Sequence, residues 1–452
     1  MNWVDCETQM PDETYDGSGS YSKEVEVILS DGTQSTDWLI NGKWVVHCRK
    51  NGGPYPVKWR KTVTDFESIE EYKKHKAEKH AEMVAKQQVP YKTKVEMSKA
   101  RIKGFIEECE RRGLNYHVSV GGLDSIVLAK LIESMGYDVP RVSASTLEDK
   151  SIQAVHKEMG CIVVQPLKSK VNILQDEGFP VLSKKIANKI DTLAHPSEKN
   201  KTVRHAIITG ECGKQGHFAT NSKMRLPLRY LKLFGGLDEE GAAMGFGKPN
   251  FKVSHKCCYY LKEAPCDNWA KEHNSVPFLG LMASEGGQRA DALEENGCNY
   301  FGKTTARSCP FAFYFHSDVI HLAVDLGVHI PEIYGTVRKS EKKNAQGDYE
   351  YYTTGEQRTG CSMCGFGIQL EQRPHRFDRL WERAPKEWEF WMMRCCKHDD
   401  GTSYGWGEVL DYLGIPWRDP EHWWLNSEIM GQTSIFDFID EDGNLIEIGG
   451  TE

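Results

Sequence analysis

Val118-Ser119-Val120-Gly121-Gly122-Leu123-Asp124-Ser125 joins an apolar stretch, Tyr116 to Val120, to a run of helical spacing, Ser125 to Met135. Ile126, Leu128, Leu131 and Ile132 mark the buried side of that helix. The join is therefore a strand, a tight glycine turn and a helix start. Unpaired N–H groups and the helix dipole favour an anion at such a place. Gly121 and Gly122 let the backbone approach a phosphate closely. Asp124 is suited to orienting the loop or holding Mg²⁺, and Ser125 to donating to a phosphate oxygen. The same residues also fit a plain strand-to-helix turn capped by Asp124.

Outward from the loop the pattern repeats. Arg141 to Ala144 reads as a second strand, Ser151 to Met159 as a helix and Cys161 to Val164 as a third strand. Strands alternating with helices predict an α/β fold with a parallel, doubly wound sheet. Further units of the pattern are expected at Ala206 to Gly210, Phe278 to Met282 and the helix Ser317 to Leu326. Upstream, residues 1–66 read as β-rich, with a strand from Lys43 to Cys48, and helices are expected over 67–86 and 92–112, the latter ended by Gly113. Residues 341–360 read as a polar loop, and the chain turns aromatic after Pro385. Three successive regions follow: 1–90, 91–340 carrying the nucleotide loop, and 341–452.

The loop resembles the Ser-Gly-Gly-x-Asp-Ser pyrophosphate loop of the superfamily that unites ATP pyrophosphatases and phosphoadenosine-phosphosulfate (PAPS) reductases, the adenine nucleotide alpha hydrolase-like proteins. Gly121, Gly122, Asp124 and Ser125 match; Val120 stands at the leading serine, with Ser119 one residue earlier. The segments Gly178 to Lys184 and Gly280 to Arg289 are similar to segments of phage and bacterial PAPS-reductase-like proteins. Glu285 and Arg289 match there, while Met282 replaces an arginine of true PAPS reductases. The resemblance spans roughly residues 92–417. It implies an adenine nucleotide held by Ser119, Gly121, Gly122, Leu123, Asp124, Ser125, Glu285 and Arg289, with Asp124 and Ser125 as the catalytic pair.

The chain has 14 cysteines. It opens without a basic segment followed by an apolar one, so a reducing, cytoplasmic setting is the expectation, and clustered cysteines there point to metal or redox chemistry. Cys257-Cys258 and Cys361-Ser362-Met363-Cys364 offer four sulfurs. By themselves they leave Zn²⁺, a [4Fe–4S] cluster and reduced or redox-paired thiols open. A Cys-Cys pair followed by Cys-x-x-Cys is similar to the iron–sulfur site of adenosine-phosphosulfate reductases, which implies the cluster. Cys395-Cys396 reads either as a pair competing for that site or as two buried thiols, and Cys298 and Cys309 as core or loop thiols. Sulfonucleotide reductases carry a further catalytic cysteine near their C-terminus; the last cysteine here is Cys396.

The formal net charge is -8, a field that does not itself recruit nucleic acid. Residues 43–61 nevertheless interleave Lys43, Arg49, Lys50, Lys58, Arg60 and Lys61 with Trp44, Tyr55 and Trp59, suited either to nucleic acid or to a hairpin with charged edges. Gln432-Thr433-Ser434-Ile435-Phe436 looks like the peptide that docks on bacterial sliding clamps. His375 and Arg376 follow the Cys-x-x-Cys, where Arg376 is placed to meet a phosphate or a cluster sulfur. No membrane span is expected, as no run of about 18 apolar residues occurs. Two functions follow: a PAPS-reductase-family enzyme acting in sulfur transfer or sulfonucleotide reduction, or a non-catalytic nucleotide- or nucleic-acid-binding module with a structural four-cysteine metal site.

Overall fold

The computed structural model describes residues 3–422, apart from 12, 16–19, 23–24, 32–33, 38, 41–42, 45–53, 62–68, 145–147, 211–223, 236–248, 303–304 and 358. The chain folds as two compact units, each stitched from separate segments. The first comprises Met1–Ser143, Lys150–Ile162 and Trp269–Thr359; the second comprises Ala144–Asp149, Val163–Asn268 and Gly360–Glu452. These boundaries differ from the successive regions 1–90, 91–340 and 341–452.

In the first unit, β1 (Val4–Asp5), β2 (Glu13–Tyr15), β3 (Ser20–Ser22), β4 (Val25–Leu29), β5 (Gln34–Asp37), β6 (Leu39–Ile40), β7 (Lys43–Trp44) and β8 (Pro56–Lys61) form two antiparallel sheets, ordered β1-β8-β4-β5 and β2-β3-β6-β7. Alternation in β4 buries Val25, Val27 and Leu29 against Trp59. The strand expected to continue to Cys48 is described only as Lys43–Trp44, and residues 45–50 lie outside the described residues. Helices α1 (Ile69–Gln87) and α2 (Tyr91–Arg112) follow, and Gly113 closes α2 with a left-handed φ of 67°.

The expected alternation is present. It runs β9 (Asn115–Val120), α3 (Leu123–Ser134), β10 (Arg141–Ser143), α4 (Lys150–Glu158), β11 (Ile162–Val163), and later β12 (Ser275–Phe278), β13 (Asn299–Phe301) and β14 (Ala306–Ser308). The sheet is ordered β11-β10-β9-β12-β14-β13. β9 pairs in parallel with β10 and β12, β12 in parallel with β14, and only the β13–β14 pair is antiparallel. The unit is thus mixed α/β around a mostly parallel six-stranded sheet. The chain winds outward from β9 through β10 to β11, then returns to β9's other side with β12. α3 buries Leu123, Ile126, Val127, Leu128, Leu131 and Ile132, more of its circumference than a surface helix would.

Two local expectations are corrected. Ala206 to Gly210 continues no strand; it ends the helix Lys201–Thr209 of the second unit, with Gly210 at φ 84° as its cap. A short apolar run such as Ala206-Ile207-Ile208 does not by itself distinguish helix from strand. Residues 341–360 are not wholly loop, because the antiparallel hairpin Val337–Lys343 and Tyr349–Thr353 runs through them. Tyr349, Tyr351 and Thr353 alternate inward beneath a polar surface. No helix among the described residues is long and apolar enough to cross a membrane.

Candidate functional site

The glycine turn lies at the carboxyl ends of β9 and β12, where the strand order reverses. Crevices for ligands open at such places in parallel sheets. Gly122 is the N-cap of α3 in extended conformation, φ -82° and ψ -168°. Two hydroxyls already serve the loop's amides. Gly121 N–H donates to Ser125 Oγ at 2.7 Å, and Ser125 Oγ donates on to the Gly122 carbonyl at 2.9 Å. Leu123 N–H donates to the Tyr334 hydroxyl at 2.8 Å, and that hydroxyl lies 2.6 Å from Thr359 Oγ1. A Cβ on Gly122 would fall 2.8 Å from the Tyr334 oxygen, so any side chain there would push the phenol aside. Tyr334 Oη therefore sits against the helix start where an anion oxygen would accept.

His156, 1% exposed, fixes the turn from the other side. Its Nε2 donates to the Gly121 carbonyl at 2.8 Å, and Ser143 Oγ stands 2.9 Å from its Nδ1. Asp124 Oδ1 is buried, lies 3.5 Å from His316 Nδ1, and makes no hydrogen bond among the described residues. An orphaned carboxylate oxygen beside a phosphate-type turn fits a Mg²⁺ ligand.

The remaining expected nucleotide residues divide. Val120 is buried in the core, and Ser119 Oγ lies 3.3 Å from His117 Nε2 on the sheet face. His117 in turn reaches Ser275 Oγ at 2.8 Å, and burial holds its imidazole down at a pKa of about 4. Gly280 brings the Gly280 to Arg289 segment to the loop: a Cβ there would lie 2.8 Å from Ser125 N. Arg289 is 54% exposed and ion-paired to Glu285 at 2.5 Å, one turn apart on the surface. Met282 is buried at 2% exposure.

Cys257, Cys258, Cys361 and Cys364 belong to the second unit, and the Gly178 to Lys184 segment runs beside both pairs. Phe179 bridges in parallel to Val253, just before Cys257, and Leu182 bridges in parallel to Phe366, just after Cys364. Gly178, at φ 122°, passes so close to Lys252 that a Cβ would lie 2.5 Å from its carbonyl carbon. Cys257 and Cys258 begin a helix that widens into a π-turn over Tyr259–Glu263, where Ala264 N–H reaches back five residues to the Tyr259 carbonyl. Pro265 has no N–H for the Leu261 carbonyl, and the wider turn accommodates that loss.

The Cys-x-x-Cys turn is pinned from several sides. Met363 takes a left-handed φ of 56° with its side chain buried. Lys170 Nζ donates to the Ser362 carbonyl, Ser362 Oγ donates to Glu387 at 2.5 Å, and Arg376 Nη1 donates to the Cys364 carbonyl at 3.2 Å. Arg376 is otherwise paired with Glu371, so it positions the turn. His375 is a buried helix cap, accepting Asp378 N–H at 3.2 Å and donating to the Pro416 carbonyl at 2.9 Å.

Cys257 packs with Cys361 around Ile173 and Leu261. Burial pushes the Cys257 thiol up to about 12 and Cys258 to about 11, and the thiols of Cys361 and Cys364 add to both rises. Burial likewise raises Cys361, opposed by Lys262 and Lys170. The four thiols are thus neighbours and of the right donor kind. They are not drawn around one point: among the described residues no three His, Cys, Asp or Glu side chains form a ready metal cage.

No protein-family model matches this chain, and no curated protein matches it. Of the other residues singled out, Cys395 and Cys396 are buried with sulfurs 3.9 Å apart, and Cys309 and Cys298 pack in the first unit's core. Trp59 turns inward and donates to the Gln9 carbonyl at 2.7 Å, so it offers no stacking face. Arg49, Lys50 and Gln432 to Phe436 lie outside the described residues. Sequence reasoning missed Tyr334, His156, Lys170, Lys262 and Glu148. None carries a local motif, and each reaches its site only through tertiary folding.

Proposed function

We propose that the chain is an adenine-nucleotide enzyme of the PAPS reductase and ATP-pyrophosphatase type, with a doubly wound first unit. It acts in sulfur transfer or sulfonucleotide reduction and carries a metal centre, a [4Fe–4S] cluster in preference to Zn²⁺. One observation carries this reading: a two-glycine turn opens a helix where the strand order reverses, and the Leu123 amide is drawn to an oxygen there. A phosphate oxygen takes the place of Tyr334 Oη on that amide. Asp124 holds Mg²⁺ or orients the loop, and Ser125 keeps Gly121 in place. An acceptor attacks the α-phosphorus, the bond to the bridging oxygen breaks, and pyrophosphate leaves with its electron pair.

Cys257, Cys258, Cys361 and Cys364 would hold the metal centre; when bound, a cluster supplies thiophilic, redox-active iron. The test is conversion of α-labelled ATP to AMP or an adenylated product, with Asp124→Ala alongside. Loss of binding or turnover in the variant is expected; unchanged affinity and turnover would reject the loop assignment.

A second reading has its own support. Ser125 and Tyr334 already satisfy two loop amides, and Val120 replaces the motif's serine. Both favour a module that binds nucleotide, or nucleic acid, without turnover, beside a structural four-cysteine site. Nucleotide retained intact by the folded protein selects this reading.

A further inference from the structure

The second unit holds a cavity of about 460 Å³ lined by Asn250, Phe251, His398, Glu408, Asp411 and Tyr412. It shares no residue with the glycine turn or the four cysteines. Its volume suits a small molecule. Aromatic rings make the apolar wall. Phe251 meets Tyr412 edge to face, with centroids 5.5 Å apart at 89°, and the Tyr412 hydroxyl donates to the Leu233 carbonyl, which fixes its ring. His398 stacks on Tyr404 at 4.0 Å.

The polar wall is acidic. Glu408 and Asp411 stand three residues apart on the helix Trp406–Leu413, so both lie on one face. Asp411 is answered: its Oδ1 accepts Trp417 Nε1–H at 2.7 Å and its Oδ2 accepts Arg418 Nη2–H at 2.8 Å. Glu408 meets only an imidazole, with His398 Nε2 2.9 Å from its Oε2, and among the described residues no lysine or arginine pairs with it. Asn250 is exposed, and its side-chain carbonyl has no donor among the described residues.

An anion would meet the Glu408 carboxylate, and a neutral ligand would leave that carboxylate unmatched. A bare metal ion lacks ligands there, because no three His, Cys, Asp or Glu side chains gather to hold one among the described residues. An organic cation fits both walls. Its ammonium donates to Glu408 and Asn250, while its methylenes and charge lie against the rings.

We propose that this cavity binds a small aliphatic amine, with Glu408 as its ion-pair partner and Phe251 and Tyr412 as its aromatic wall. The site goes beyond the nucleotide reading and stands independently of it.

The experiment is isothermal titration calorimetry of the full chain at low ionic strength with putrescine. Butanediol and succinate, of the same four-carbon length, remove and reverse the charge. Putrescine should bind at a single site, and the diol and the diacid should not bind. Glu408→Gln keeps the shape and removes the charge, and should weaken putrescine about tenfold or more, the worth of a charge-assisted hydrogen bond. Glu382→Gln, at an exposed carboxylate outside the lining, should bind as wild type does. Should Glu408→Gln fail to fold, wild type decides: NOEs from the putrescine methylenes to the Phe251 and Tyr412 ring protons support the site, and their absence overturns it. No binding to wild type, equal binding of the diol or the diacid, unchanged affinity in Glu408→Gln, or equal weakening by both variants overturns the inference.

Discussion

The glycine turn of the first unit and the cysteine constellation of the second are built by opposite means. The turn is a contiguous stretch whose Gly121 and Leu123 amides are answered by hydroxyls and whose Gly121 carbonyl is answered by His156. The cysteine site joins Cys257-Cys258 to a turn over a hundred residues later, with ammonium groups set among thiols. In the first, hydroxyls serve the Gly121 and Leu123 amides while Asp124 Oδ1 goes without a hydrogen bond; in the second, the buried Lys170 ammonium meets the Ser362 carbonyl and the Trp391 ring, with no carboxylate in ion-pair distance among the described residues. On the proposed reading, a phosphate at the turn would exchange one oxygen for another on the Leu123 amide.

The largest test of this contrast is Cys361→Ser. It should abolish metal retention, measured as iron and sulfide after anaerobic purification, while leaving nucleotide affinity at the turn unchanged; undiminished iron breaks the ligand assignment. Next comes Gly280→Ala, whose new methyl would press on the Ser125 and Asp124 backbone at 2.8 and 2.9 Å. Overpacking of this kind costs about 1–3 kcal/mol. Nucleotide affinity should fall with stability, read by calorimetry and denaturant titration, and metal content should stay constant.

The third concerns acid. His117 is held at about 4 in the folded protein by burial, below the ordinary histidine range. The unfolded chain therefore binds the extra proton first. Its contribution is fully present above about pH 6.5 and is lost as pH falls toward 4, reaching about 3 kcal/mol. Denaturation curves across that window should show the slope, and an NMR titration placing His117 near 6.5 would contradict it. The smallest effect is expected of Tyr334→Phe, which removes the hydroxyl competing for the Leu123 amide. Pyrophosphate or ATP should bind up to about tenfold tighter, the worth of one such hydrogen bond. Weaker binding would mean that the phenol assists the ligand.

What was legible in the sequence follows from the same contrast. Strand β9, the glycine turn and helix α3 could be read because apolar spacing and turn residues act locally. That Cys257 and Cys361 pack together could be guessed only from their being paired motifs, since over a hundred residues separate them. Illegible were Tyr334, whose hydroxyl arrives from 211 residues away, and Lys170, a cation in a core position that patterning assigns to apolar residues. The helix Lys201–Thr209 was misread because its apolar end is too short to reveal a period, although Arg204 is buried on the same helix. The hairpin of residues 337–353 hid its tyrosine alternation among lysines and glutamates.

The interleaving of the two units bears on how the protein is made. The chain leaves the first unit at Ala144, Val163 and Gly360 and returns to it at Lys150 and Trp269. During vectorial synthesis the ribosome releases Cys257 and Cys258 well before Cys361 and Cys364 exist. Half of the thiols thus wait, unescorted, for about a hundred further codons. Whatever the two pairs do together is necessarily a late event in the life of the nascent polypeptide, and a messenger truncated at codon 340 would yield a product lacking the second pair altogether.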